Sequence, residues 1–224
     1  AEGEAEGGVE HIETEALLIA TGRVPNMADL GLGEAGVKTE SGGVLVDDWL
    51  RTSNPRIFAV GDVVYGSPRL THVAGEMAKV AVENALFGGE WNASGLVIPQ
   101  CIYTEPEVAS VGLVSAEDVD EYVVMLADND RAILEGEADD GGFVRVVCRR
   151  GTDELLGATV VAARAGEIIA EIALAIKAGV TLHGLGRSIH AYPTTGEALM
   201  GCGLQWIRAR WETLPAPKPS AEQR

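Results

Sequence analysis

The sequence predicts two architectures in succession: the end of an α/β core, then an α+β domain. Three observations predict this. Residues 16–21 and 57–60 are short apolar runs that end in Gly-containing turns. A strand buried on both faces of a parallel sheet reads this way. After Gly88-Gly89 the texture changes to strand-like segments linked by acidic or Gly-rich turns. Two helical segments then follow, which completes an α+β layer.

Taken in order, residues 16–21 form the first predicted strand, broken by Gly22-Arg23-Val24-Pro25-Asn26. A short strand is expected at 44–46 and a second buried strand at 57–60, ended by Gly61-Asp62. Residues 70–87 carry helical spacing through Val73, Met77, Val80 and Ala81, with Gly88-Gly89 as the expected stop. Residues 88–95 are the expected domain boundary. Strands are expected at 97–103, 108–112, 122–126, 143–149 and 155–161, as a β-meander. Residues 115–118 read as a capped helical turn. Helices are expected at 165–178 and 195–211, packed on the strands. The expected division is residues 1–95, 96–213 and a Pro-rich, polar tail at 214–224, whose composition predicts disorder.

Composition narrows the function classes. Seventeen Lys and Arg stand against 34 Asp and Glu, a formal charge of −17. So acidic a surface repels nucleic acid and anionic lipid, so neither is an expected partner. No apolar run reaches the roughly 18 residues of a membrane span. Cys101, Cys148 and Cys202 form no CxxC or zinc-type spacing, so no metal site is predicted. Each reads as a buried thiol, which points to a reducing intracellular compartment. Residues 1–15 have neither a signal-peptide nor a transit-peptide pattern and do not begin like a domain. They lead us to expect that the sequence is a fragment of a longer protein.

Several positions invite chemistry. Asp62 follows a predicted buried strand, where open α/β sheets place their ligands. Its carboxylate can accept hydrogen bonds from ligand hydroxyls, or close a turn through backbone amides. Leu70, Thr71 and His72 open a helix whose first amides carry partial positive charge and suit an electron-rich oxygen. The His72 side chain reads equally well as a surface or capping residue. Gly22 allows a ligand or another backbone to approach, or simply turns the chain before Pro25.

Six stretches come in a specific order: ALLIATGRVPN, IFAVGDV, LTHVAGEMAKVAVENAL, PQCIYTEPEVASVG, GATVVAARAGEIIAEIALAIKAG and IHAYPTTGEAL. Together they resemble the C-terminal half of the FAD-dependent pyridine nucleotide–disulfide oxidoreductases. That family includes dihydrolipoamide dehydrogenase, glutathione reductase and mercuric reductase. The resemblance implies the end of a Rossmann-like FAD/NAD(P)-binding core followed by a dimerisation domain. It also implies a homodimer, with FAD and NAD(P)H as cofactors. Gly61 and Asp62 then match the turn that holds the ribityl chain of FAD. The resemblance further implies that the backbone at Leu70, Thr71 and His72 approaches the flavin pyrimidine edge and that Gly22 lies beside the nicotinamide dinucleotide.

The resemblance makes Tyr192 and Glu197 the catalytic candidates. Many members have His-Pro-Thr where this chain has Tyr192-Pro193-Thr194, and a Glu that orients the His. A neutral imidazole titrates near pH 6.5 and shuttles protons, whereas a phenol titrates near 10 and is a poor base. Mercuric reductases are similar to this chain in carrying Tyr near this position. The resemblance implies a small-molecule, disulfide or metal-ion acceptor. His190 falls two residues before Tyr192, at a place that is structural in several members. Thr194-x-x-Glu197 also fits a capping box. The lone Cys202 reads as a buried thiol, and the two Trp of the last helix, Trp206 and Trp211, read as core, with interface packing or exposure as the alternatives. The sequence lacks a CxxxxC pair. The competing expectation is therefore a non-catalytic dimerisation module or an inactive member of the same family.

Overall fold

The computed structural model describes residues 11–212. The expected tail at 214–224 lies outside them. Two compact units follow one another, the first ending at Ala93 and the second beginning at Ser94.

The first unit is built on one long helix, α1 (Thr71–Leu86), and a small hairpin of β1 (Thr39–Glu40) and β2 (Gly43–Val44). Val73, Met77, Val80 and Ala81 line one stripe of α1 and are buried, as their spacing predicts. Residues 16–21 differ from expectation. They form no strand, and Leu17, Leu18 and Ile19 stand 79%, 87% and 77% exposed. A strand buried on both faces needs a neighbour for its backbone and a layer over each face. Among the described residues, nothing supplies either. Residues 57–60 are half-buried and form only an isolated bridge, Arg51 to Phe58. The strand expected at 44–46 is confined to β2.

The second unit is a five-stranded antiparallel sheet of β3 (Pro99–Ile102), β4 (Glu107–Gly112), β5 (Val119–Met125), β6 (Phe143–Arg149) and β7 (Leu155–Ala162). Its order is β3-β4-β7-β6-β5. The last three strands form a meander, and β7 returns to pair with β4, which leaves the β3–β4 hairpin at one edge. Between β5 and β6 lies a short helix, α2 (Asp130–Glu135). Three helices follow β7: α3 (Ala165–Ala178), α4 (Leu182–Arg187) and α5 (Glu197–Glu212).

Alternation along the strands sends Ala109, Val111, Val144, Val146, Ala158 and Val160 to one face. Ile169 and Ile172 of α3 and Leu199 of α5 pack on that face in the same core. Full burial of an aliphatic side chain such as Ile172 stabilises by about 1.5–3 kcal/mol. The other face carries Ile102, Val123 and Met125, all exposed. Residues 115–118 are irregular instead of a helical turn. They cross from β4 to β5, which β7 and β6 separate in the sheet, and Arg150 holds them through the Glu117 carbonyl and the Asp118 carboxylate. α2 and α4 arise where no helix was expected, because each is only six residues long. Such short segments present too little periodicity to detect.

Candidate functional site

In the first unit, Gly61, Asp62 and the start of α1 lie together. Gly61 opens a short 3-10 turn, Gly61–Val63, with φ +72°. A Cβ on Gly61 would lie 2.8 Å from the Ala74 Cβ, so α1 packs against the turn only because the side chain is missing. Asp62 therefore sits beside the first turns of α1. Its Oδ2 accepts from Arg23 Nε at 3.3 Å, and its side chain remains 40% exposed. Arg69 Nη1 donates to the Arg23 carbonyl at 2.6 Å. Leu70 precedes α1 in an extended conformation and gives it no side-chain cap. Thr71 and His72 are exposed. Gly22, next to Arg23, has φ +108° and open space where a Cβ would stand.

These residues offer hydrogen-bond acceptors and a helix start to a ligand. A carboxylate has about four acceptor sites, and Arg23 uses one. The helix start adds partial positive charge.

In the second unit, the segment between α4 and α5 carries Tyr192 and Glu197. His190 anchors it. Its Nε2 lies 3.1 Å from Glu171 Oε1 of α3, its Nδ1 lies 3.1 Å from the Ser188 carbonyl, and only 9% of its side chain is exposed. A ring so engaged is structural. Two residues on, Tyr192 is 72% exposed, and its hydroxyl donates to Asp130 Oδ2 at the start of α2. That hydrogen bond pushes the phenol above its ordinary value of 10.0, and the charges of Asp130 and Glu197 push the same way.

The capping box is not formed. The Thr194 hydroxyl turns back and donates to the Ala191 carbonyl at 2.7 Å. α5 begins at Glu197, not at Thr195, so Glu197 occupies the first helical position instead of the third that a box requires. Glu197 is half-buried and close enough to raise the Tyr192 phenol.

Sequence reading missed Arg23, Asn129 and Asp130. Asn129 is 5% exposed. Its Oδ1 accepts from the Ala132 amide at 3.1 Å and caps α2, while its Nδ2 donates to the Thr194 carbonyl at 3.2 Å. Asn before a helix-forming stretch is a capping signal that could have located α2. Nothing local points to the contacts with Thr194 and Tyr192.

The thiols differ from one another. Cys148 and Cys202 are buried, and burial pushes each up to about 12. Cys101 is only partly buried, not fully as its residue type predicted. Burial raises it first, and the Glu107 carboxylate adds to the shift. A thiol held protonated is a poor nucleophile. Among the described residues, no group of three His, Cys, Asp or Glu side chains is placed to hold a metal ion. No helix among them is long and apolar enough to cross a membrane.

Comparison with known proteins places both units in one family. Residues 2–78 match the model of the pyridine nucleotide-disulphide oxidoreductases, and residues 98–201 match that family's dimerisation domain. The chain is 38% identical over 204 residues to dihydrolipoyl dehydrogenase of Geobacillus stearothermophilus, covering 88% of this chain and 43% of the relative. It is 39% identical over 199 residues to mercuric reductase of Streptomyces lividans, covering 86% and 41%. The crystal structure of LpdA from Mycobacterium tuberculosis superposes with a TM-score of 0.75 at 28% identity, over 82% of this chain and 41% of that one. The chain thus spans about two-fifths of the length of these relatives. Both halves of the described structure carry the family's pattern, and the chain belongs to the pyridine nucleotide-disulphide oxidoreductase family.

Proposed function

We propose that this chain provides the flavin-contacting end and the dimerisation domain of an FAD-dependent NAD(P)H oxidoreductase. The protein works as a homodimer and reduces a small acceptor, either a disulfide or a metal ion. The observation that carries this reading is the accessible carboxylate of Asp62, held by a glycine turn beside the start of α1. FAD, when bound, supplies the electron relay between NAD(P)H and the acceptor. Asp62 accepts hydrogen bonds from the cofactor's hydroxyls. The first-turn backbone of α1, from Leu70 to His72, offers partial positive charge to the electron-rich edge. Gly22 leaves room for the dinucleotide. From the other unit, Tyr192 and Glu197 reach the partner's redox site. The test is anaerobic titration of the whole protein with NADH and with NADPH. Loss of visible flavin absorbance with either is expected. A whole protein that purifies without flavin and binds none would refute the proposal.

The second reading is a non-catalytic dimerisation module or an inactive member of the same family. The three thiols, raised mainly by burial, fit both readings. Light scattering on the chain checks dimer formation, which both readings expect, and hydride transfer in the whole protein separates them.

A further inference from the structure

The loop between α4 and α5 is held at three points. His190 ties it to Glu171 of α3. Asn129 ties the Thr194 carbonyl to α2, and Asp130 takes the Tyr192 hydroxyl. Asn129 and Asp130 are consecutive, and Asn129 is fixed from both ends because it also caps α2. The start of α2 is therefore a rigid bracket for the loop.

A phenol has one proton to donate and lone pairs to accept with. The Tyr192 proton is committed to Asp130. What the exposed phenol offers outward is its lone pairs.

We propose that Asp130 is the positioning residue of this loop: it turns the Tyr192 phenol so that the reactant meets an electron-pair donor, which selects an acceptor carrying positive charge or a hydrogen-bond donor. The inference rests on the proposed function and deepens it by naming the acceptor class. Two carboxylates surround the phenol, Asp130 by direct contact and Glu197 through its charge. They keep the phenol protonated well past neutrality and place two negative charges beside it. An anionic acceptor is repelled there, and a cationic one is attracted. Asp130 also sits in the first turn of α2, where any carboxylate complements the helix dipole. That role needs no phenol, so Tyr192→Phe, which removes the contact and leaves Asp130 in place, separates the two.

Two measurements test the proposal. The first follows the alkaline absorbance titration of tyrosine in this chain, with Tyr192→Phe identifying the Tyr192 component. Asp130→Ala is expected to move that component down toward its ordinary value. A component that stays in place would overturn the contact. The second uses the flavin-loaded whole protein, with cationic hexaammineruthenium(III) and with anionic ferricyanide as acceptors, both of which NAD(P)H can reduce. Asp130→Ala is expected to raise KM for the ruthenium cation about tenfold and to leave or lower that for ferricyanide. Asp130→Glu is expected to restore the preference in part. Equal losses on both acceptors, with flavin reduction by NAD(P)H intact, would overturn the positioning role and leave the proposed function standing. Absence of flavin reduction in the unaltered protein would overturn both.

Discussion

Gly186 of α4 and Gly203 of α5 meet backbone to backbone: a Cβ on Gly203 would lie 2.4 Å from the Gly186 Cα, and one on Gly186 would lie 2.6 Å from the Gly203 carbonyl carbon. Neither neighbour is the movable end of a side chain. The contact fixes how α5 lies on α4, and Glu197 is the first residue of α5. Gly203→Ala should destabilise the chain by about 1–3 kcal/mol through overpacking. Urea unfolding should show a lower midpoint. Gly201→Ala is the control, because its Cβ would meet only the Val124 side chain at 3.0 Å, and it should cost less. An unchanged midpoint in Gly203→Ala would count against so close a crossing.

Asp62 should matter for the flavin and little for stability. Its ion pair with Arg23 is exposed on both sides, and such pairs contribute little. Asp62→Ala should therefore unfold at nearly the same urea concentration as the parent but retain less flavin on purification. Full flavin occupancy in the variant would remove Asp62 from the cofactor site.

Tyr192 should be a poor proton shuttle. Its hydrogen bond to Asp130 holds the phenol above its ordinary value of 10.0, so it stays protonated throughout the neutral range. The whole enzyme should turn over flexible disulfides such as lipoamide slowly and metal ions, quinones or dyes better. Tyr192→His should raise disulfide turnover, since an imidazole titrates near pH 6.5. Tyr192→Phe should change disulfide turnover little. Brisk lipoamide reduction that vanishes in Tyr192→Phe would make the phenol the catalyst and refute this reading.

The buried thiols should make stability fall at high pH. Cys148 and Cys202 rise from an ordinary 9.0 to about 12 on folding. A raised acid favours the fold fully below its unfolded value, and the contribution is lost as pH climbs toward the folded one. Unfolding free energy should therefore decline between about pH 9 and about pH 12. Near pH 8 an aryl disulfide reagent should find only Cys101 in the native chain, slowly, and all three thiols after denaturation. Rapid native labelling of three thiols would contradict this packing.

Much of the second unit was legible in the sequence, because its signals are local. The helix at 165–178 and the strand at 143–149 have the same bounds in the structure. Strict alternation or helical spacing leaves one face apolar, and only one placement buries that face. α1 was legible for the same reason. The run at 16–21 shows the limit of this logic. Its composition is that of a buried strand, yet a strand exists only through hydrogen bonds to neighbours, and the described residues supply none.

The sequence by itself determined which residue stands at 192, and so that a phenol replaces an imidazole. Six ordered motifs also determined the family. Only the tertiary structure decided what the phenol touches. Asp130 lies 62 positions from Tyr192, and Asn129 lies 65 from Thr194. The same holds for Glu107, whose Oε2 in β4 accepts from the Gly166 amide at 3.0 Å and caps α3 across 59 positions. Contacts at such separation are set by how strands pair and helices cross, and no local spacing encodes them. The proton state and direction of a side chain depend on those contacts, so the chemistry of the loop became readable only once the chain was folded.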